Sequence, residues 1–179
     1  MITIASLLDK KANSATEEYW AMLEAKCQLT EINSVPFPHF SWFTASGIAH
    51  PALPELFEDV AKDLYVFTIQ TTGLGVFTGK SPVIYLPLIK TRQLIEFHEI
   101  IWKRLSEFVQ DLNYHYSPDS WVPHITLAYG DVSVPRLACA VQNLANIDLS
   151  TTIEISNIAL LTRIEEEAKV ECVARLEHR

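Results

Sequence analysis

Two stretches of this chain carry the same five-residue pattern, and nothing else in the sequence constrains it as tightly. One reads Pro38-His39-Phe40-Ser41-Trp42, the other Pro123-His124-Ile125-Thr126-Leu127. Each is proline, histidine, apolar residue, hydroxyl, apolar residue. Side chains alternate along a strand, and residues i and i+2 share a face about 7 Å apart. In each copy the histidine and the hydroxyl therefore point to one side and the apolar neighbours to the other. A cleft lined by both pairs is the first expectation.

The surroundings of the two stretches repeat as well. The first half reads as a strand over 2–8, a helix from Ser14 to about Cys27, the histidine strand over 38–45 and a second helix. Leu53, Leu56, Phe57, Val60 and Leu64 mark that helix, and strands follow over 65–71 and 76–78. Ser14 with Glu17 has the form of a capping box. Thr72-Gly73-Leu74-Gly75 reads as a hairpin turn, because a phosphate loop needs a third glycine and a following helix.

The second half runs in the same order. A strand over 83–89 meets Pro87, which suits an edge or a strand end. The longest helix follows, from Thr91 to about Leu112, with Leu94, Phe97, Ile101, Leu105 and Phe108 at helical spacing. Then come the histidine strand over 122–129, a shorter helix marked by Leu137, Val141 and Leu144, and strands over 151–155, 158–164 and 169–176. The acidic run 165–168 reads as a solvated hairpin loop. The expectation is an α+β fold forming one bilobal domain over 1–179, with lobe-forming repeats of roughly 1–80 and 81–179. Two mostly antiparallel sheets with outer helices would flank a central cleft about a pseudo-twofold.

Apolar residues make up 49% of the 179 positions, enough for a packed core. No apolar run approaches the roughly 18 residues that span a bilayer, and Met1 to Leu8 lacks a basic leader pattern, so no membrane partner is expected. The three cysteines, Cys27, Cys139 and Cys172, are odd in number and widely spaced. They suggest neither a disulfide framework nor a metal site, and a cytoplasmic setting follows. A net charge of -8 excludes a protein that grips long duplex nucleic acid, which needs a basic face. A nucleotide or an RNA terminus remains compatible with it, and so does a monomer.

Six histidines and twenty-five serines plus threonines make about one His-x-Ser/Thr triplet expected by chance, and the chain has three. The third, His115-Tyr116-Ser117, lacks the preceding proline and sits in a loop-forming stretch, so it reads as a decoy. The other two share proline, strand context and position in the repeat. With the Gly73-Leu74-Gly75-Val76-Phe77 segment between them, they resemble the 2H phosphoesterase superfamily, in its 2′,5′-RNA ligase and 2′,3′-cyclic phosphodiesterase branch. The resemblance covers essentially the whole chain. It implies a bilobal fold with a central groove, no metal or other cofactor, and hydrolysis of 2′,3′-cyclic phosphates. The catalytic histidines then fall on His39 and His124 and the phosphate-binding hydroxyls on Ser41 and Thr126. Bacterial members often carry an arginine shortly after the second motif, where this chain has Ala128-Tyr129-Gly130.

The chemistry suits those residues. Opening a cyclic phosphodiester needs a base for the attacking water and an acid for the departing ribose oxygen, and two imidazoles supply both near neutral pH. The two hydroxyls can donate to the non-bridging oxygens. The same site run backwards would join a 2′ end. Lys80, Lys90, Arg92, Arg136 and Arg163 read as surface charges with an outside claim on phosphate. Phe37 shares the face of His39 and could stack on a base. Tyr129, on the opposite parity to Thr126, should be core or lobe interface. Two other readings compete: a non-catalytic module binding nucleotide or cyclic phosphate, and a histidine-ligated metal hydrolase. The latter lacks carboxylates or cysteines at ligand spacing near either motif.

Overall fold

A computed structural model describes residues 1–164 and 167–179. In chain order it forms β1 (Ile2–Leu7), α1 (Lys10–Cys27), β2 (His39–Ala45), β3 (Gly47–Ile48), α2 (Leu53–Ala61), β4 (Phe67–Gln70), β5 (Gly75–Phe77) and β6 (Val83–Pro87). Then come α3 (Arg92–Leu105), β7 (Val109–Gln110), β8 (His124–Ala128), α4 (Val134–Leu144), β9 (Thr152–Ile155), β10 (Asn157–Ile164) and β11 (Glu167–Arg175). Single 3₁₀ turns sit at Glu31–Ser34, Ser106–Phe108 and Tyr114–Tyr116.

The fold is α+β, built on one large antiparallel sheet in the order β11-β10-β1-β2-β8-β6-β5, with two-stranded sheets β3-β7 and β4-β9. The two histidine strands are neighbours at its centre, joined by the single pair Phe40↔Ile125. β1 flanks β2 on one side of this seam as β6 flanks β8 on the other. Each wing draws on both halves of the chain: β10 pairs with β1, while β5 pairs with β6. The helices cross over too, α1 packing on α4 and β8, and α3 packing on α2 and β2.

The alternation of the histidine strands sets the core. Phe40, Trp42 and Phe43 of β2 are fully buried, as are Ile125 and Leu127 of β8, whereas His39, Ser41, His124 and Thr126 are only half-buried. The polar positions face the groove and Phe40, Trp42, Ile125 and Leu127 face the helices, as the period of two requires, while Phe43 leaves that period where the β1–β2 register shifts.

Several expectations need correction. The helix α1 begins at Lys10 because Asp9, not Ser14, caps it: Asp9 Oδ1 accepts from Ala12 N at 2.9 Å while its Oδ2 accepts from Glu154 N at 2.8 Å. At 18 residues α1 is also longer than α3, which has 14. The apolar spacing runs on past Leu105, but Val109 and Gln110 pair with Ile48 and Gly47, and that ladder ends the helical run.

The strands on either side of Thr72-Gly73-Leu74 do not form a hairpin. β4 pairs with β9 and β5 with β6, so the tight connection is 78–82, where Gly79 takes φ 143°. Of the acidic run, Glu165 and Glu166 lie outside the described residues, while Glu167 and Ala168 already belong to β11.

The cysteines also depart from expectation: Cys27 and Cys139 form a disulfide between the end of α1 and α4, leaving Cys172 free. A sequence separation of 112 hides the pair from spacing rules, and only the packing of α1 on α4 brings them together. Among the described residues, no helix is long and apolar enough to cross a membrane.

Candidate active site

All four residues of the paired motif line one cleft of about 700 Å³ over the seam. Each histidine is held in the same way. His39 Nδ1 bonds the Phe37 carbonyl at 2.8 Å, and His124 Nδ1 bonds the Val122 carbonyl at 2.7 Å. A carbonyl can only accept, so Nδ1 carries the proton in both rings and Nε2 is left free to exchange one. Burial pushes the His39 imidazole below the usual histidine range, opposed by the Phe37 carbonyl and reinforced by the charge of His124. Burial lowers His124 as well, against the Val122 carbonyl.

The hydroxyl residues are fixed by their backbones. At the seam the strands share one bridging pair, and beside it two indoles supply hydrogen bonds. Trp121 Nε1 donates to the Ser41 carbonyl at 3.0 Å, and Trp20 Nε1 donates to the Thr126 carbonyl at 3.1 Å. Both tryptophans are buried, Trp121 at 1% exposure and Trp20 at 7%. Trp121 is in turn stacked on buried His98 at 3.9 Å and 8°, with His98 Nε2 at 3.1 Å from the Trp42 carbonyl. On the other wing Phe77 and Tyr85 stack at 4.2 Å and wall His124, with centroids 5.0 and 5.1 Å from its ring.

The profile of the 2′-5′ RNA ligase superfamily matches residues 15–167, most of the chain and both motifs. The chain belongs to that superfamily, whose members are 2H phosphoesterases. Phosphoester chemistry is therefore its class of activity. Comparison with curated protein sequences gave no match. Among solved structures the chain is similar to Usb1 of Kluyveromyces marxianus, at 11% identity and a TM-score of 0.42, over 94% of this chain and 95% of that one.

In this 2H phosphoesterase the structure brings His39, Ser41, His124 and Thr126 together and redistributes the secondary candidates. Phe37 does not line the cleft; it packs on the small apolar cluster of Ala5, Ala159 and Leu161. Tyr129, expected in the core or at a lobe interface, lines the cleft, its hydroxyl 2.7 Å from Ser34 Oγ and 2.8 Å from Arg163 Nη1. Of the five basic residues weighed, only Arg163 lines the cleft. Arg92 pairs with Glu96, Arg136 with Asp131, and Lys80 and Lys90 are exposed elsewhere.

The dismissed triplet is partly in the wall. Asn113 Nδ2 donates to Thr44 Oγ1 and Asn113 N to the Thr44 carbonyl, docking the 3₁₀ turn on β2 so that His115 and Tyr116 reach the cleft. Burial raises the Tyr116 phenol, and contact with the Ser41 side chain opposes that shift. Trp20, Trp121, Phe77 and Tyr85 escape sequence reasoning, since aromatic residues at helical or strand spacing read as core. The clue available was positional: Trp121 immediately precedes the second histidine strand.

Proposed function

We propose that this protein hydrolyses 2′,3′-cyclic phosphates on nucleotides or RNA ends, with no metal or other cofactor, using His39 and His124 as the acid/base pair. The observation that carries this reading is the matched Nδ1–carbonyl bonding of the two histidines in one cleft, which leaves two exchangeable Nε2 atoms. With a cyclic phosphate between the rings, the neutral imidazole takes a proton from water as its oxygen bonds phosphorus. The protonated imidazole gives its proton to the ribose oxygen whose bond to phosphorus breaks. Ser41 and Thr126 donate to the non-bridging oxygens, where charge gathers in the transition state. The product is a 2′- or 3′-phosphate, and the reverse sequence would ligate a 2′ end.

A buried imidazole favours its neutral form, which suits the base, while the negative phosphate favours the charged form in its partner. Each proton-transfer role contributes about 10²–10⁴-fold. The proposed working unit is a monomer, and the Cys27–Cys139 disulfide removes the cysteine argument for a cytoplasmic setting. Trapping thiols in cells before lysis tests the setting: alkylated Cys27 and Cys139 support it, and a protected pair places the protein in an oxidising compartment.

The reaction is tested by incubating purified protein with a panel of 2′,3′-cyclic nucleotides and cyclic-ended oligonucleotides, with and without EDTA, and resolving 2′- from 3′-phosphate products. Ring opening that survives EDTA supports the proposal. Tight binding without turnover between pH 5 and 8 contradicts it and favours a binding module; turnover lost to EDTA and restored by zinc favours a metal hydrolase.

A further inference from the structure

The turn that carries the third His-x-Ser triplet delivers one side chain to the cleft wall, and the chemistry proposed above gives that side chain no part. Tyr114 is 74% exposed and His115 is exposed, while Tyr116 is half-buried and lines the cleft. The turn is pinned on both sides. Asn113 holds β2 through the Thr44 hydroxyl at 3.2 Å and the Thr44 carbonyl at 3.0 Å. Tyr116 N then donates to the Asn113 carbonyl at 3.0 Å. The Tyr116 carbonyl lies against His98, which is 1% exposed and stacked on Trp121. With its backbone held in this way, the phenol has only two side-chain torsions left to set.

The phenol meets Ser41. The two side chains are hydrogen-bonded to each other, and both line the cleft. Burial raises the phenol above its ordinary value of 10.0, so it keeps its proton wherever the depressed imidazoles work. A phenol is a stronger acid and a poorer acceptor than an alcohol, so the bond runs from Tyr116 Oη to Ser41 Oγ. That direction decides what Ser41 can do. A serine hydroxyl has one proton and two acceptor lone pairs. With Tyr116 filling a lone pair, the proton is left to point elsewhere, and a hydroxyl that accepts one hydrogen bond donates a stronger one. The Ser41 carbonyl is fixed separately, by Trp121 Nε1 at 3.0 Å.

We infer that Tyr116 is a positioning residue: through its hydrogen bond it holds the Ser41 hydroxyl as a donor aimed at one non-bridging oxygen of the substrate phosphate. The inference rests on the proposed cyclic phosphodiesterase reading and adds a chain of donors to it, Tyr116 to Ser41 to phosphate. Tyr116 reaches the substrate only through Ser41.

Tyr116→Phe keeps the ring and removes the hydroxyl, and thermal melts confirm its fold. Its kcat/KM on uridine 2′,3′-cyclic phosphate should fall about 2- to 12-fold, the range of a neutral hydrogen bond. That loss should vanish in a Ser41→Ala background, because the phenol acts through that hydroxyl. Losses that multiply in the double variant overturn the inference, and so does an unchanged kcat/KM in Tyr116→Phe.

The two diastereomers of uridine 2′,3′-cyclic phosphorothioate separate aiming from packing. Sulfur accepts hydrogen bonds poorly. The isomer that presents sulfur to Ser41 has already lost the bond and should be nearly indifferent to Tyr116→Phe, while the other isomer should show the full loss. Equal losses on both isomers overturn the inference. Should wild type open no cyclic phosphate, the Kd of uridine 3′-monophosphate for the same variants carries the test. Weakening by Tyr116→Phe that vanishes in Ser41→Ala upholds the chain of donors and refutes the hydrolase, whereas an unchanged Kd overturns the chain as well.

Discussion

Replacing Gly75 with alanine should damage the site from the outer edge of the sheet. Gly75 faces Tyr85 across the β5–β6 pair, and a Cβ there would lie 2.3 Å from Tyr85 Cε2 and 2.5 Å from its Cζ. To regain ordinary contact at 3.4 Å the ring must move by about 1.1 Å, the difference between 3.4 and 2.3. It has nowhere to go: Tyr85 is 9% exposed, stacked on Phe77 and set against His124. Overpacking of this kind costs about 1–3 kcal/mol. At about 2–4 °C per kcal/mol for a domain of this size, Tm should fall by roughly 2–12 °C. Because Tyr85 walls His124, a displacement near 1 Å should also cost about 10²-fold in kcat on a cyclic nucleotide.

The backbone of Gly75 is not in the left-handed region, so the ring of Tyr85 is the reason for glycine here. Thermal melts and steady-state rates for Gly75→Ala, Tyr85→Leu and the double variant isolate that contact. In the Tyr85→Leu background the alanine should add less than about 0.5 kcal/mol, inside the range of an ordinary surface change. A Gly75→Ala protein with unchanged Tm and kcat refutes the reasoning, and so does an equal penalty in both backgrounds.

Other outcomes follow from the same contacts. Trp121→Phe and Trp20→Phe each leave a motif carbonyl without its indole donor and should cost about 1–3 kcal/mol in urea melts, with a fall in kcat. Burial depresses both cleft imidazoles, so the bell of kcat/KM against pH should be centred below 6.5, the ordinary histidine value. His98 is depressed to about 4 by burial, against the carbonyls of Trp42 and Tyr116. The unfolded chain therefore binds the extra proton first, and stability falls as pH drops from 6.5 towards 4 by an amount on the order of 3 kcal/mol. His98→Gln should shrink that loss when urea melts at pH 7 and pH 4.5 are compared. Reducing Cys27–Cys139 should lower stability by about 2–4 kcal/mol, and thiol titration of the native protein should find Cys172 alone.

The motif strands were legible because a period-two pattern with one polar face leaves little freedom: His39, Ser41, His124 and Thr126 share the cleft, and Phe40, Trp42, Ile125 and Leu127 are core. Amphipathic spacing likewise marked all four helices, with errors only at their ends. Asp9 outcompeted Ser14 as the cap of α1 because its carboxylate also holds β9, a contact 145 residues away. Pairing between strands was the least legible feature. Nothing local tells β5 to pair with β6 and not with β4, nor β10 to complete the wing of β1 and β2. For the same reason Arg163 looked like a surface charge: only the β1–β10 register brings it to the cleft. Cys27 and Cys139 were misread because their meeting depends on α1 crossing to the wing of β8.

The central claim is that His39 and His124 act as one acid/base device on a single phosphate. Single-turnover opening of a 2′,3′-cyclic nucleotide by wild type, His39→Ala, His124→Ala and the double variant tests it most directly, with circular dichroism confirming the fold. Each single variant should lose about 10²–10⁴-fold, and the double variant little more than the worse single one, as groups acting in one step are not additive. Near-normal rates in either single variant, or losses that multiply in the double, contradict the account.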